Sequence, residues 1–159
     1  MTHAINEVSI RELNELPEHI HVLQAQAMAE GFRFLTRLIV EWESQFNRFE
    51  QYGECLLGVF CKGQLVGIGG VSRDPQGDPN MARLRRLYVT PAMRGRGIGK
   101  QLVEQLLARA AAQFSTVRLS TDTLEGQRFY LCCGFHAIDD ASATHEKSLR
   151  KSSAPSPSD

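Results

Sequence analysis

Cysteine is scarce in this chain and is not arranged for metal. The four thiols, Cys55, Cys61, Cys132 and Cys133, contain no C-x-x-C pair, and with the five histidines they form no convincing zinc set. Buried, reduced thiols are the expectation, which places the chain in the cytoplasm. No apolar run is long enough to cross a bilayer, and no basic segment precedes an apolar one at the N-terminus. Neither a membrane span nor a secretory leader is expected. Net charge is missing too: 18 basic side chains balance 18 acidic ones, which removes bulk attraction to nucleic acid or to a membrane surface. No internal repeat is found.

What remains is an ordinary globular composition. With 159 residues, 42% hydrophobic, the chain suits one domain over residues 1–150; residues 151–159, small, polar and carrying two prolines, read as a disordered tail. The charge is unevenly spread. Residues 1–60 hold nine acidic and four basic side chains, a net of −5, so residues 61–159 carry +5. An anionic ligand in the second half fits that split.

Arg83 to Lys100, RLRRLYVTPAMRGRGIGK, organises the rest. Leu84, Leu87, Tyr88 and Val89 suit a strand that Thr90-Pro91 ends, and Leu102, Val103, Leu106 and Leu107 recur at helical spacing. Between them lies Arg94-Gly95-Arg96-Gly97-Ile98-Gly99, on the turn from strand to helix. Unpaired amides and the positive end of the helix dipole meet there, so the loop is expected to seat an anion such as a phosphate. The stretch contains six basic residues (Arg83, Arg85, Arg86, Arg94, Arg96, Lys100) and no acidic one. A nucleoside-triphosphate loop is excluded because Gln101, rather than Ser or Thr, follows Gly99-Lys100. A dinucleotide fingerprint is excluded because the glycines alternate and the strand comes late.

The loop Arg94–Gly99 fits the R/Q-x-x-G-x-G/A pattern of the GNAT superfamily of acetyl-CoA-dependent N-acetyltransferases, and the chain resembles that family. Arg86-Leu87-Tyr88-Val89-Thr90-Pro91 resembles the strand entering the loop, and Phe129-Tyr130 followed by Gly134-Phe135 resembles the later F-Y-x-x-x-G-F motif. The resemblance covers roughly residues 5 to 150.

The remaining elements are read in order. Residues 5–11 alternate as a strand. Pro17 opens a helix with Ile20, Leu23, Ala27 and Met28 in a stripe, and Gly31 breaks it. A second helical stretch runs from 32 to 49, with Phe34, Leu35, Leu38, Ile39, Trp42 and Phe46 on one broad face. Residues 55–60 and 65–71 form a hairpin about Lys62-Gly63, and 74–80 is an exposed loop. After the central unit come a strand at 117–120, a helix at 124–133 and strands at 135–138 and 145–149. The expected fold is α/β: a mixed, mostly antiparallel sheet with one parallel pair and helices on both faces, as in the GNAT fold.

The resemblance implies acetyl-CoA as co-substrate and no metal. Leu87, Tyr88 and Val89 would pair with the pantetheine amides, where two strands diverge. Arg94, Gly95, Arg96, Gly97, Ile98, Gly99 and Lys100 would hold the diphosphate, with the Arg94 and Arg96 guanidiniums contributing. Val89 N–H would polarise the thioester carbonyl and Tyr130 would be the general acid. The acceptor would be a primary amine of a small molecule, amino acid or peptide, attacking directly in a ternary complex. Glu30, Phe32, Arg33 and Phe34, between the first two helices, are acceptor-site candidates. One departure stands out. The position at which many relatives carry a basic glutamate is Arg83, which cannot be a base. Glu54, Glu41 and Asp122 are alternative carboxylates. Arg83 and Arg85, two apart on a strand, would face the cleft together and bind a substrate carboxylate or phosphate, or else form a solvated strand end. An acetyl-CoA sensor with little catalysis is the alternative to an enzyme. A nucleic-acid binder is disfavoured by the zero net charge and the lack of interleaved aromatics. Dimers are frequent in the resembled family, so a homodimer is one implied assembly.

Overall fold

The structure is a computed structural model and describes residues 8–149. Residues 5–7 of the expected first strand and the tail at 151–159 lie outside the described residues. The elements are β1 Val8–Glu12, α1 Ile20–Ala29, α2 Phe34–Glu43, β2 Cys55–Cys61, β3 Gln64–Arg73 and β4 Met81–Val89. A 3₁₀ turn Pro91–Met93 follows, then α3 Ile98–Ala110, β5 Thr116–Leu119, α4 Leu124–Cys132, β6 His136–Asp140 and β7 Ala143–Ser148.

One sheet runs β1-β2-β3-β4-β5-β7-β6. All neighbours are antiparallel except β4 and β5, which are parallel. The cause is local. β2 and β3 are joined by a two-residue turn in which Lys62 (φ 52°) and Gly63 (φ 83°) both take left-handed backbone, the twist a tight hairpin requires. β4 and β5 are joined through α3, and a parallel pair needs such a crossover.

The helices cover both faces. Ile20, Leu23 and Ala27 of α1 and Leu35, Leu38, Ile39 and Trp42 of α2 pack on Leu56, Leu65, Ile68 and Tyr88. On the other face Ile98, Leu102, Val103, Leu106 and Leu107 of α3 pack on Leu57, Val59, Val71, Ala82 and Leu84. The expected mixed sheet is therefore observed, with its single parallel pair in the expected place.

Three local expectations are corrected. The second helix is shorter than residues 32–49. It ends at Glu43 because Gln45 and Phe49 adopt left-handed backbone, so Phe46 is 80% exposed instead of lying on the core face. Met28 is also exposed, since α1 turns only a narrow stripe to the sheet. Of the four thiols expected to be buried, only Cys55 is; Cys132 sits on the open side of α4.

Candidate functional site

β4 and β5 pair over three positions only, Met81 with Thr116, Ala82 with Val117 and Arg83 with Arg118. Beyond Arg83 the strands part, and the β5-facing edge of β4 from Leu84 to Val89 has no strand partner among the described residues. Thr90 N–H donates back to the Val66 carbonyl at 2.8 Å. By the alternation of a strand, Val89 N–H is then directed to the open edge.

A β-bulge accompanies the parting. Ile68 pairs with Tyr88 and Gly70 with Arg85, so Gly69 alone faces both Arg86 and Leu87. Arg86 holds left-handed backbone (φ 62°), which for a side chain of this size costs about 1–3 kcal/mol and persists only when its surroundings enforce it. The resulting cleft has a volume of about 1100 Å³ and is walled by β4, the 93–100 loop, the start of α2 and the start of α4.

The loop forms one end. Gly95 (φ 80°) and Gly97 (φ 78°) both take left-handed backbone, and a Cβ added to either would meet nothing within 4 Å, so the glycines face open space. Gly97 is the N-cap of α3 and supplies no side-chain cap. The first helical bond runs from Gln101 N–H to the Gly97 carbonyl at 3.0 Å, which leaves the amides of Ile98, Gly99 and Lys100 without an acceptor inside the helix. Main-chain donors, a dipole and Lys100 converge there. The site therefore fits a diphosphate.

The arginines of the loop are disposed differently from expectation. Arg94 lines the cleft, but its guanidinium donates to Glu30 through Nη1 at 2.8 Å and Nη2 at 2.7 Å, and its Nε donates to the Val89 carbonyl at 2.9 Å. Tyr88 donates its hydroxyl to the same Glu30 at 2.7 Å. Arg94 is thus a staple between the glycine loop and the end of α1. Arg96 is exposed and does not line the cleft.

Hydrogen bonds from Arg94, then from Tyr88, hold the Glu30 carboxyl below the usual carboxylate range. A lowered folded value stabilises the fold above the ordinary carboxylate pKa of about 4 and is lost as pH falls through the folded value. Glu30→Gln is therefore expected to lower Tm at neutral pH, with the gap to wild type narrowing below about pH 4. A pH-independent gap in melting curves would show that this ion pair is not its source.

Leu87, Tyr88, Val89, Gly95, Gly97, Ile98, Gly99 and Lys100 all line the cleft, as does Tyr130. Thr123 starts α4, its Oγ1 accepting from Gly126 N–H at 3.0 Å, and this cap orients the helix so that Phe129 and Tyr130 turn inward. Phe129 lies against Gly99. Tyr130 stands edge-on between Phe129 (5.0 Å between centroids) and Phe135 (5.7 Å). Its hydroxyl forms no hydrogen bond among the described residues. Burial, and secondarily the Cys133 thiol, push the phenol above its usual range, so it stays protonated.

The other end is walled by Phe32, Arg33, Phe34 and Arg37 with Arg83, Arg85 and Arg86. Of the three carboxylates considered as bases, only Asp122 lines the cleft. Glu54 accepts from the backbone of Arg73 (2.8 Å) and Gln51 (3.2 Å), and Glu41 pairs with Arg86 at 2.9 Å. Arg86, Arg37 and Glu125 are lining residues that the sequence reading did not select. Arg86 had no signal of its own, because only the bulge carries it to this wall.

The profile of the Acetyltransferase (GNAT) family matches residues 19–135. A putative acetyltransferase from Exiguobacterium sp. 255-15 shares the fold with a TM-score of 0.81, at 24% identity over 89% of this chain and 93% of that one. Ard1 from Thermoplasma volcanium gives 0.70 at 21% identity over 91% and 99% of the two chains. YhbS from Escherichia coli, solved in complex with CoA, gives 0.66 at 19% identity over 91% and 82%. Among curated proteins, the N-alpha-acetyltransferase RimI of Mycobacterium tuberculosis is 32% identical over 82 residues, 52% of each chain. The uncharacterised N-acetyltransferase YjgM of Escherichia coli is 28% identical over 99 residues, 60% of this chain and 59% of that one. An uncharacterised Mycobacterium leprae protein is 31% identical over 84 residues, which is 23% of its length. This chain thus spans no more than about three fifths of the curated relatives it matches. The profile match over most of the described residues, on a splayed mixed sheet with a glycine loop at its open end, makes this chain a member of the Acetyltransferase (GNAT) family.

Proposed function

We propose that the protein transfers an acetyl group from acetyl-CoA to a primary amine of a small molecule, amino acid or peptide, by direct attack with both substrates bound. The observation that carries this reading is the unpaired β4 edge running straight into the open amide loop. The β4 wall of the cleft offers main-chain pairing for an extended amide-bearing arm, and the loop end offers donors for a diphosphate.

The coenzyme supplies the acetyl thioester, and the chain supplies position and protons. Leu87 to Val89 hold the arm as a further strand would. Residues Gly95 to Lys100 hold the diphosphate through their amides, with Arg94 acting on the loop's shape through Glu30. Val89 N–H is the donor for the thioester carbonyl oxygen. Tyr130, kept protonated by its surroundings, holds the proton for the departing sulfur. Asp122, which with Glu125 is a carboxylate lining the cleft, takes the proton of the amine directly or through water.

Incubation with acetyl-CoA and a panel of amines, with thiol release as the readout, tests the proposal. Amine-dependent release supports transfer. Tight coenzyme binding with no release from any amine would favour the sensor instead, a reading motivated by Arg83 standing where many relatives carry a glutamate.

A further inference from the structure

Three arginines leave β4 on one face. Arg83 pairs with Ser72, and Arg85 pairs with Gly70, whose added Cβ would strike Phe49 on the α1/α2 side. The bulge then sets Arg86 on the side that Arg85 already occupies, and Arg86 reaches Glu41 of α2. Arg33 and Arg37 precede Glu41 at four-residue intervals, so they lie along the same helical face, and both line the cleft. Five guanidiniums therefore surround one end of the cleft.

Their partners divide them. Arg83 is a brace, bonded to Asp74 (3.4 Å), to Ser120 Oγ (2.8 Å) and to the Ser142 carbonyl. Arg86 is 7% exposed, and its Nε is a buried donor with no acceptor among the described residues, although Nη2 is paired with Glu41. Arg85 has one long contact, to Ser72 Oγ at 3.5 Å. Arg33 and Arg37 form no ion pair or side-chain hydrogen bond among the described residues. Phe32, Phe34 and Tyr88 stand in contact beside them, with Phe32–Phe34 centroids 5.5 Å apart and Phe34–Tyr88 6.3 Å. Arg33 and Arg37 are exposed, but the half-buried Arg85 beside the buried Arg86, with one buried N–H unanswered, is a costly arrangement unless an anion completes it. Burial first, then Arg86, pull the Arg85 pKa downward, as such crowding should.

We infer that the acceptor is a small amine carrying a carboxylate or a phosphate ester, with that anionic group seated on Arg85 and Arg86 and faced by Arg33 and Arg37. The inference rests on the transfer reading above and names its substrate class. It also answers the loss of the glutamate. A site ringed by guanidiniums disfavours a protonated amine, so the nucleophile gives up its proton more readily than it would in water. Arg83, at the position where many members of the resembled family carry a glutamate, braces β4 to β5 and leaves proton removal to this field together with Asp122.

The test compares matched amines with acetyl-CoA: each common α-amino acid beside its α-carboxamide, and phosphoethanolamine beside ethanolamine. The expected result is a kcat/KM at least about tenfold higher for the anionic member of at least one pair, the effect of one charge-assisted hydrogen bond. Arg85→Ala should collapse that ratio through KM, while Arg85→Lys retains part of it; equal Tm values guard against a folding defect. Binding of N-acetylglycine and N-acetylglycinamide to protein saturated with coenzyme A, followed by calorimetry, gives a readout without turnover. Preference for the acid, lost in Arg85→Ala, supports the seat even if no amine in the panel is acetylated, an outcome that would count against the transfer reading alone. Equal rates for the anionic and neutral members of every pair that is acetylated, the phosphoethanolamine pair included, together with equal binding of the two acetylated probes, would overturn the inference. A preference for the phosphate pair alone would identify the anion as a phosphate.

Discussion

Replacing Tyr130 with phenylalanine is expected to cut turnover by about a hundredfold, the usual contribution of a positioned general acid, while coenzyme affinity stays within about twofold. The two halves of that expectation have different structural causes. The ring is held edge-on by Phe129 and Phe135, and phenylalanine keeps those contacts, so the cleft wall survives. The hydroxyl alone is removed, and it bonds to nothing among the described residues, so the fold does not depend on it. Because burial raises this phenol's pKa, the proton should remain in place throughout the neutral and mildly alkaline range. The wild-type rate should therefore show no loss attributable to Tyr130 below about pH 10, the ordinary phenol value. Single-turnover rates and coenzyme titrations for the two proteins decide the matter; an unchanged rate in Tyr130→Phe removes Tyr130 from the mechanism.

Replacing Gly95 and Gly97 together with valine is expected to weaken coenzyme A binding by about a hundredfold, since left-handed backbone costs an L-residue roughly 1–2 kcal/mol at each site, and more with a β-branched side chain. Added side chains would meet nothing at either position, so the penalty is one of backbone conformation and not of collision. The loop would relax away from left-handed φ and turn its amides off the common focus. Since both glycines are exposed, Tm should move only slightly. Calorimetry with coenzyme A supplies the measurement. Unaltered affinity would mean that these amides do not hold the diphosphate.

Glycine spacing is legible because it reports backbone requirements that are local. The alternating glycines identified a turn of left-handed φ at a helix start, and Gly95 and Gly97 have that geometry. The hairpin at Lys62-Gly63, the crossover through α3 and the start of α4 were readable for the same reason: each is decided within a few residues. The limits of α2 were less so. Phe46 continues an apolar pattern but faces solvent, because Gln45 and Phe49 leave the helix to bring Phe49 under Gly70 of β3. That choice depends on a contact some twenty residues away.

The arginines show the same divide more sharply. Six basic residues share one stretch of sequence, yet their fates differ. Arg94 staples the loop to α1, Arg83 braces β4, Arg96 is exposed, and Arg86 is buried with Glu41. Composition sets how much charge a strand carries, but the partner of each charge comes from elsewhere in the chain.

By itself the sequence determined the order of elements, the family, the glycine loop at the start of α3 and a tyrosine that lines the same cleft, since these depend on periodicity, turn residues and short motifs. Only the tertiary structure decided which cations are paired with carboxylates and which line the cleft without one, because a one-residue bulge changes the face a side chain takes, and nothing in the local pattern announces it.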